Sequence, residues 1–416
     1  MKNRVDIEPL EAPAKIRAWS SLLYRDFRLV WGSGVLAALA VQVRNVTGIY
    51  QVYQLTGSPF QLGLTGFLQA LPFVVFGLFA GAVADVFDRK KLLLATIFLQ
   101  LVPSLTLGLL TATGAIQVWH IYVFTLLGAF VEVFNWPARS ALIPRLVPQT
   151  ILMNAVTLNT MIIQTSFLLG PAIGGVLIDR TGLASTYFWS AAMIVPALFA
   201  IPAVRRSGEP EGVRRMVNLR SIVEGVEFIW IQRIILSLFL LDFGVTLFGF
   251  YRPILPIFAA DVFKTGASGL GALYAAPSAG SLIGSVALLM MGDIRRKGIA
   301  VVVAAILFGA SLALLGLAQW FWLAVAIVIF LGIADSVSVA IRRTVVQLLA
   351  PDEMLGRASS LITVFAQATN GLGALLAGAA AQAIGVTNAL LIGSGLCFVM
   401  IFATCCAIPQ LWRYRS

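Results

Sequence analysis

The sequence predicts an all-α membrane protein: twelve transmembrane helices in two six-helix pseudo-symmetric bundles, with both termini cytoplasmic. Three observations predict it. Hydrophobic residues fill 59% of the 416 positions and charged residues only 11%, where a soluble domain carries roughly 25% charged residues. Apolar runs close to the ~20 residues that cross a bilayer as a helix recur along the whole length. The chain also contains one stretch twice. Glu132, Arg139, Pro148, Ala155, Leu158, Thr160, Gln164, Gly170 and Gly175 return 203 positions later (335 − 132) as Asp335, Arg342, Pro351, Ala358, Leu361, Thr363, Gln367, Gly373 and Gly378. An ungapped match of that length makes the chain two copies of one half.

Taken in order, residues 1–27 form a polar cytoplasmic segment with no apolar core, hence no cleavable signal peptide. Residues 28–204 form the first six-helix bundle, with apolar runs at 28–53, 60–84, 92–112, 117–137, 153–178 and 184–204. Residues 205–233 are a cytoplasmic linker. Its second part, Leu219–Trp230, carries Ile222, Val226 and Ile229 at helical spacing and reads as an amphipathic helix on the membrane surface. Residues 234–409 form the second bundle, with runs at 234–260, 267–291, 299–318, 320–341, 357–382 and 386–409, and 410–416 are a cytoplasmic tail. Mid-run prolines (Pro72, Pro103, Pro171, Pro196, Pro277) argue against helix in water but are common in membrane helices.

Charge fixes the expected orientation. Of the 29 Lys and Arg residues, 25 fall on the side of the termini, and only Arg180 and Lys264 lie in opposite loops. The positive-inside rule then puts the termini in the cytoplasm. The net charge of +11 is therefore a topology signal set against anionic lipid rather than a nucleic-acid footprint. Three cysteines in the last run, Cys397, Cys405 and Cys406, and the single histidine, His120, supply neither a disulfide framework nor a metal site. The short loops opposite the termini, such as Thr113–Ala115 and Asp179–Gly182, leave no room for an external binding domain.

Between the second and third runs stands Gly81-Ala-Val-Ala-Asp85-Val-Phe-Asp88-Arg89-Lys90-Lys91, echoed by Gly292-Asp293-Ile-Arg295-Arg296-Lys297 after the eighth. In a short loop of a twelve-helix chain, Gly-x-x-x-Asp-x-x-x-Arg-Lys strongly resembles the signature loop of the major facilitator superfamily. Gly170-Pro171-Ala-Ile-Gly174-Gly175 resembles that superfamily's antiporter motif, with Ser166 where another glycine is usual. Arg25-Asp-Phe-Arg28, Gln51–Pro59, Pro137-Ala-Arg139, Asn154–Asn159 and Tyr274-Ala-Ala-Pro277 are similar to the branch of enterobactin exporters and macrolide-efflux proteins. Asn135 stands where relatives often have aspartate. The resemblance implies a latch at Gly81, Asp85, Arg89 and Lys90, and the acidic–Arg spacing of the repeat places Arg139 and Arg342 at the cytoplasmic mouths as part of that gate.

Five ionisable side chains lie well inside the runs: Arg44, Glu132, Asp242, Arg252 and Asp335. Each costs roughly 2.5–3.5 kcal/mol at mid-bilayer even on the lenient insertion scale, and such residues mark transport pathways and proton relays by default. They belong to helices 1, 4, 7 and 10, which the resemblance implies line the central cavity. Gln42, Asn45, Gln51, Asn135, Phe248 and Tyr251 join the expected cavity wall.

The expected function is therefore secondary active transport: proton-coupled export, by alternating access, of a small amphipathic compound of the drug, macrolide or siderophore class. A lysophospholipid flippase or an importer of the same fold is the alternative, and a membrane sensor or enzyme a more distant one. An enzyme would need chemistry that one peripheral histidine and the absence of a phosphate-binding Gly-rich loop do not offer. The expected partners are a small-molecule substrate, protons and the lipid bilayer of a prokaryotic inner membrane. No nucleic acid, metal or cofactor is expected, and the chain is expected to act as a monomer.

Overall fold

The computed structural model describes residues 18–205, 227, 230–292, 294, 296–349 and 351–410, with the side chains of Gly81, Ala82, Ala84, Asp85 and residues 352–360 outside the description. Among the described residues, twelve helices are long and apolar enough to cross a membrane. They are α1 (Arg25–Thr56), α2 (Pro59–Val86), α3 (Arg89–Ala112), α4 (Val118–Leu142), α5 (Leu152–Thr181) and α6 (Leu183–Ala200). The second half comprises α7 (Arg233–Phe248), α8 (Gly266–Met291), α9 (Lys297–Leu317), α10 (Phe321–Leu349), α11 (Asp352–Ile384) and α12 (Val386–Ala407). An even number of crossings returns the chain to the face it started from, here called the terminal face, and the opposite one the far face. The amphipathic helix expected at Leu219–Trp230 lies almost wholly outside the described residues.

Each half packs in the same order. Helix α1 lies against α5 and α6 as α7 lies against α11 and α12, and α3 lies against α4 and α6 as α9 lies against α10 and α12. The repeat extends further than one offset reveals. Helices α4–α6 map onto α10–α12 at 203, but α1–α3 map onto α7–α9 at 208 (233 − 25). Arg44 and Arg252 are therefore equivalent, just as Glu132 and Asp335 are.

Helix 7 departs from the continuous run expected at 234–260. It stops at Phe248, resumes as a tight turn at Arg252–Ile254 and ends in a wide-turn segment at Phe258–Val262. Pro253 and Pro256 remove two backbone donors in close succession, so an unbroken α-helix cannot be closed there.

The halves meet where α5 crosses α8 and α2 crosses α11. Gly175 lies against the Ala267 carbonyl and the Gly271 Cα, and Gly63 meets Gly378 and the Ala374 carbonyl at the equivalent crossing. A β-carbon at any of these glycines would collide with backbone, which cannot yield. Without a hydrophobic force between helices in lipid, such close backbone approach is what holds them.

Polar contacts join the halves at the far face. Tyr53 donates to Asp261, its own repeat equivalent (261 − 53 = 208). Asp179, expected in a loop, instead belongs to the last turn of α5 and caps α8 across the interface. It accepts from Ala267 N at 3.2 Å, Ser268 N at 2.8 Å and Ser268 Oγ. Its equivalent in α11, Gln382 (382 − 179 = 203), accepts from Ser58 Oγ at 2.9 Å, and Ser58 caps α2. One cap is charged and the other neutral. Removing a capping carboxylate costs about 1 kcal/mol. Asp179→Ala should thus loosen far-face closure about five-fold, read as faster labelling of a cysteine placed at Ala267, which is buried at this crossing. Unchanged labelling would show that Asp179 does not hold this face shut.

Candidate functional site

The charges expected within the membrane form one group in each half, and the two halves hold them differently. In the first half, Arg44 is 5% exposed and its guanidinium wraps the third helix. Nη1 donates to the Gln100 carbonyl at 2.9 Å, and Nη2 to Gln100 Oε1 at 2.7 Å. Gln100 Nε2 then donates to Glu132 Oε1 at 2.9 Å and to the Gly128 carbonyl at 3.2 Å. Arg44 and Glu132 are therefore linked through one amide rather than in direct contact. Gly128 makes room for this, since a β-carbon there would stand 2.8 Å from Arg44 Nη2. Behind it, Ser104 and Ser190 lie 3.0 Å apart, and Tyr187 donates to Gln51 at 2.8 Å.

In the second half, Arg342 pairs directly with Asp242, which also accepts from Thr246 Oγ1 at 3.2 Å. Asp335 keeps its surface open to a small cavity that it shares with Asp242, Phe308, Ser338 and Arg342. The charges around it are Arg342 on its own helix, and Asp242 and Arg252 on α7 and its continuation. Tyr274 steadies Arg252 by donating to its carbonyl at 2.9 Å. A second small cavity lies in the first half, bordered by Arg44, Asn45, Thr65, Gln69 and Phe124.

Several residues expected at the cavity or its mouth sit elsewhere. Asn135 is buried and donates to Thr96 Oγ1 at 2.9 Å, so it belongs to the packing of α3 on α4. Gln51 is consumed by Tyr187 and by Thr111 at 3.0 Å. Arg139 is 4% exposed, not at the mouth. It faces Gly34 of α1 and reaches Asn135 Oδ1 at 3.5 Å. Arg342, its equivalent, does face the cavity. The physical reason is common to all three: helical spacing places a residue on a face, but not which neighbour that face meets.

The loop motif divides similarly. Arg89 donates to the Ala141 carbonyl at 3.1 Å, and Lys90 Nζ to the carbonyls of Pro202 at 3.0 Å and Val204 at 2.7 Å. These contacts stitch the ends of α4 and α6 to α3 within one half. Asp88 caps α3 by accepting from Lys90 N and Lys91 N. The side chains of Gly81 and Asp85 lie outside the described residues. In the antiporter-like motif, Gly170 and Gly174 seat Gln42 and Val46 of α1, while Pro171 and Gly175 form the crossing with α8.

Sequence reasoning missed Gln100, because an uncharged side chain in an apolar run gives no warning of its partners. It also missed Asp179, whose neighbours Arg180 and Gly182 look like loop. The offset of 208 would have exposed the pairing of Arg44 with Arg252.

Residues 16–413 match the family model described as a transmembrane secretion effector. The multidrug efflux pump Tap of Mycolicibacterium fortuitum is 25% identical over 372 residues, covering 86% of this chain and 90% of its own. The enterobactin exporter EntS of Escherichia coli O139:H28 is 26% identical over 394 residues, covering 94% and 93%. Among solved structures, a bacterial homologue of the human lysosomal transporter Spinster, inward-facing and unoccupied, superposes with a TM-score of 0.71 at 15% identity. It covers 97% of this chain and 100% of its own. A POT family transporter in complex with 5-aminolevulinic acid gives 0.74 at 13% identity, covering 93% and 96%. These structural likenesses establish the fold.

The seat of Arg44 can be tested directly. Gly128→Ala forces the guanidinium off Gln100 or shifts α4, and overpacking of this kind costs about 1–3 kcal/mol. A lowered unfolding temperature in detergent is expected. An unchanged one would mean that Arg44 does not depend on Gly128.

Proposed function

Because the chain belongs to the transmembrane secretion effector family of the major facilitator superfamily, and is thus a multi-pass membrane transporter, we propose that it exports a small amphipathic compound in exchange for protons. Alternating access supplies the route: one bundle rocks against the other about the glycine crossings. The positive-inside charge distribution supports a cytoplasmic terminal face and an inner-membrane location. The far face is then the external one, and its cross-half caps form the gate through which substrate leaves.

One observation carries the reading. Two carboxylates and one arginine, Asp242, Asp335 and Arg342, line one cavity of the second half, and the charge of Arg252 acts on Asp335 from beside it. Together they are neutral, so adding one proton leaves an arginine without a counter-charge. In a site partly withdrawn from water, that imbalance is felt far more than at a surface. A proton arriving at a carboxylate and a substrate arriving beside the arginines therefore compete for one charge balance. Competition of that kind is what an exchanger needs.

Substrate class rests on the relatives. One is named for multidrug efflux and another for enterobactin export, which supports a compound of the drug, macrolide or siderophore class. No cofactor is required, since the proton gradient supplies the driving force, and a single chain contains the whole pathway.

The experiment has two stages. Untargeted mass spectrometry of the medium, from cells with and without the chain, identifies the exported compound. Its uptake into everted vesicles under an imposed pH gradient is then measured for Glu132→Gln, Asp242→Asn and Asp335→Asn. At least one variant should lose gradient-driven uptake while remaining in the membrane at native abundance. Full activity in all three would remove the proton site from this cavity.

A further inference from the structure

The two halves differ most where they ought to match. Arg44 and Arg252 are equivalent, and so are Glu132 and Asp335, yet only the first pair is joined. At the 208 offset, Gln100 becomes Phe308, Ser104 becomes Leu312 and Gln51 becomes Ala259; at the 203 offset, Gly128 becomes Leu331 and Tyr187 becomes Leu390. All five replacements are apolar. Leu312, Leu331, Leu390 and Ala259 are buried in one cluster, with Phe308 packed against it. The polar scaffold that holds Arg44 to Glu132 has been filled with hydrocarbon in the second half.

Gln100 can bind its two neighbours in only one sense. Arginine has donors and no acceptor, so the amide oxygen must face Arg44 and the NH2 group must face Glu132. Both amide hydrogens are then committed, one to Glu132 and one to the Gly128 carbonyl. A hydrogen bond to an ionised carboxylate is roughly twice as strong as one to a neutral group, so this arrangement favours the ionised form of Glu132. Burial works against the charged form of Glu132, and it is opposed by this amide and by the other groups facing the carboxylate, the cations Arg139 on its own helix and Arg44 on α1. Asp335 has Arg342 and Arg252 nearby, but also the like charge of Asp242, and it accepts no hydrogen bond from any described residue. Tyr251, buried beside Arg252, is the remaining titratable neighbour.

We propose that Gln100 is a positioning residue that keeps Glu132 ionised as the fixed partner of Arg44, and that Asp335, whose half carries Phe308 in place of that amide, is the carboxylate that loads and releases the transported proton. The assignment rests on the proton-exchange reading above and narrows it from three carboxylates to one. Glu132 anchors the first half of the cavity while the charge on Asp335 changes.

Infrared difference spectroscopy of the purified full-length protein, taken between about pH 6 and about pH 9 so that ordinary carboxylates stay ionised throughout, reads this without knowledge of the substrate, because a protonated carboxyl group has its own C=O band. In the native chain that band should titrate. Asp335→Asn should abolish it, and Glu132→Gln should leave it intact. Gln100→Leu should add a second titrating band, and further substitution Glu132→Gln should remove it. A band lost with Glu132→Gln and retained in Asp335→Asn would overturn the assignment while leaving proton exchange standing. No titrating carboxyl band in the native chain would instead count against proton exchange itself. If Gln100→Leu fails to fold, the two single carboxylate variants still decide the matter.

Discussion

Hydrocarbon offers no hydrogen bond, and that constraint shapes the chain from composition to site. Each backbone group must be satisfied inside its own helix, and each polar side chain by another part of the protein. Where Pro253 and Pro256 make a continuous helix impossible, the break lies inside the protein, with Pro253, Ile254 and Leu255 all buried. The same constraint turns a buried arginine into an organiser. Arg44 engages both the main chain and the side chain of Gln100, and that contact fixes how α1, α3 and α4 stand relative to one another.

A second consequence concerns how the halves stay together yet move. Lipid tails are as apolar as leucine, so side-chain burial alone gives little preference for one bundle lying against the other. The crossings rely instead on glycine facing glycine, Gly175 with Gly271 and Gly63 with Gly378, and on polar caps at the far face. Tight backbone contact and polar caps thus join the halves, while each half keeps a cavity of its own. The pseudo-twofold axis passes close to Tyr53 and Asp261, equivalent residues that bond to each other.

Much of this was legible in the sequence. Bilayer thickness and the cost of charge leave marks that need no alignment, so the spans, the repeat and the five intramembrane charges could be read from residues alone. What could not be read depended on direction. Arg139 and Arg342 occupy equivalent positions seven residues beyond their carboxylates, yet one is enclosed under Gly34 and the other pairs with Asp242. Asn135 looked like cavity lining and proved to be a bond between α3 and α4. Gln100 carries no charge and so gave no warning. Only superposing the halves, with two offsets rather than one, shows that it stands where its counterpart is phenylalanine.

In the exchange proposed above, charge on the second-half carboxylates sets which face is open. Double electron–electron resonance measures this through spin labels at Ala115 and Gln319, exposed positions in the equivalent loops after α3 and α9. Distances across the far face should redistribute between acid and alkaline buffer in the native protein. With Asp335→Asn they should take one distribution at both. A native distribution indifferent to pH, or a shift that survives Asp335→Asn unchanged, would contradict the account.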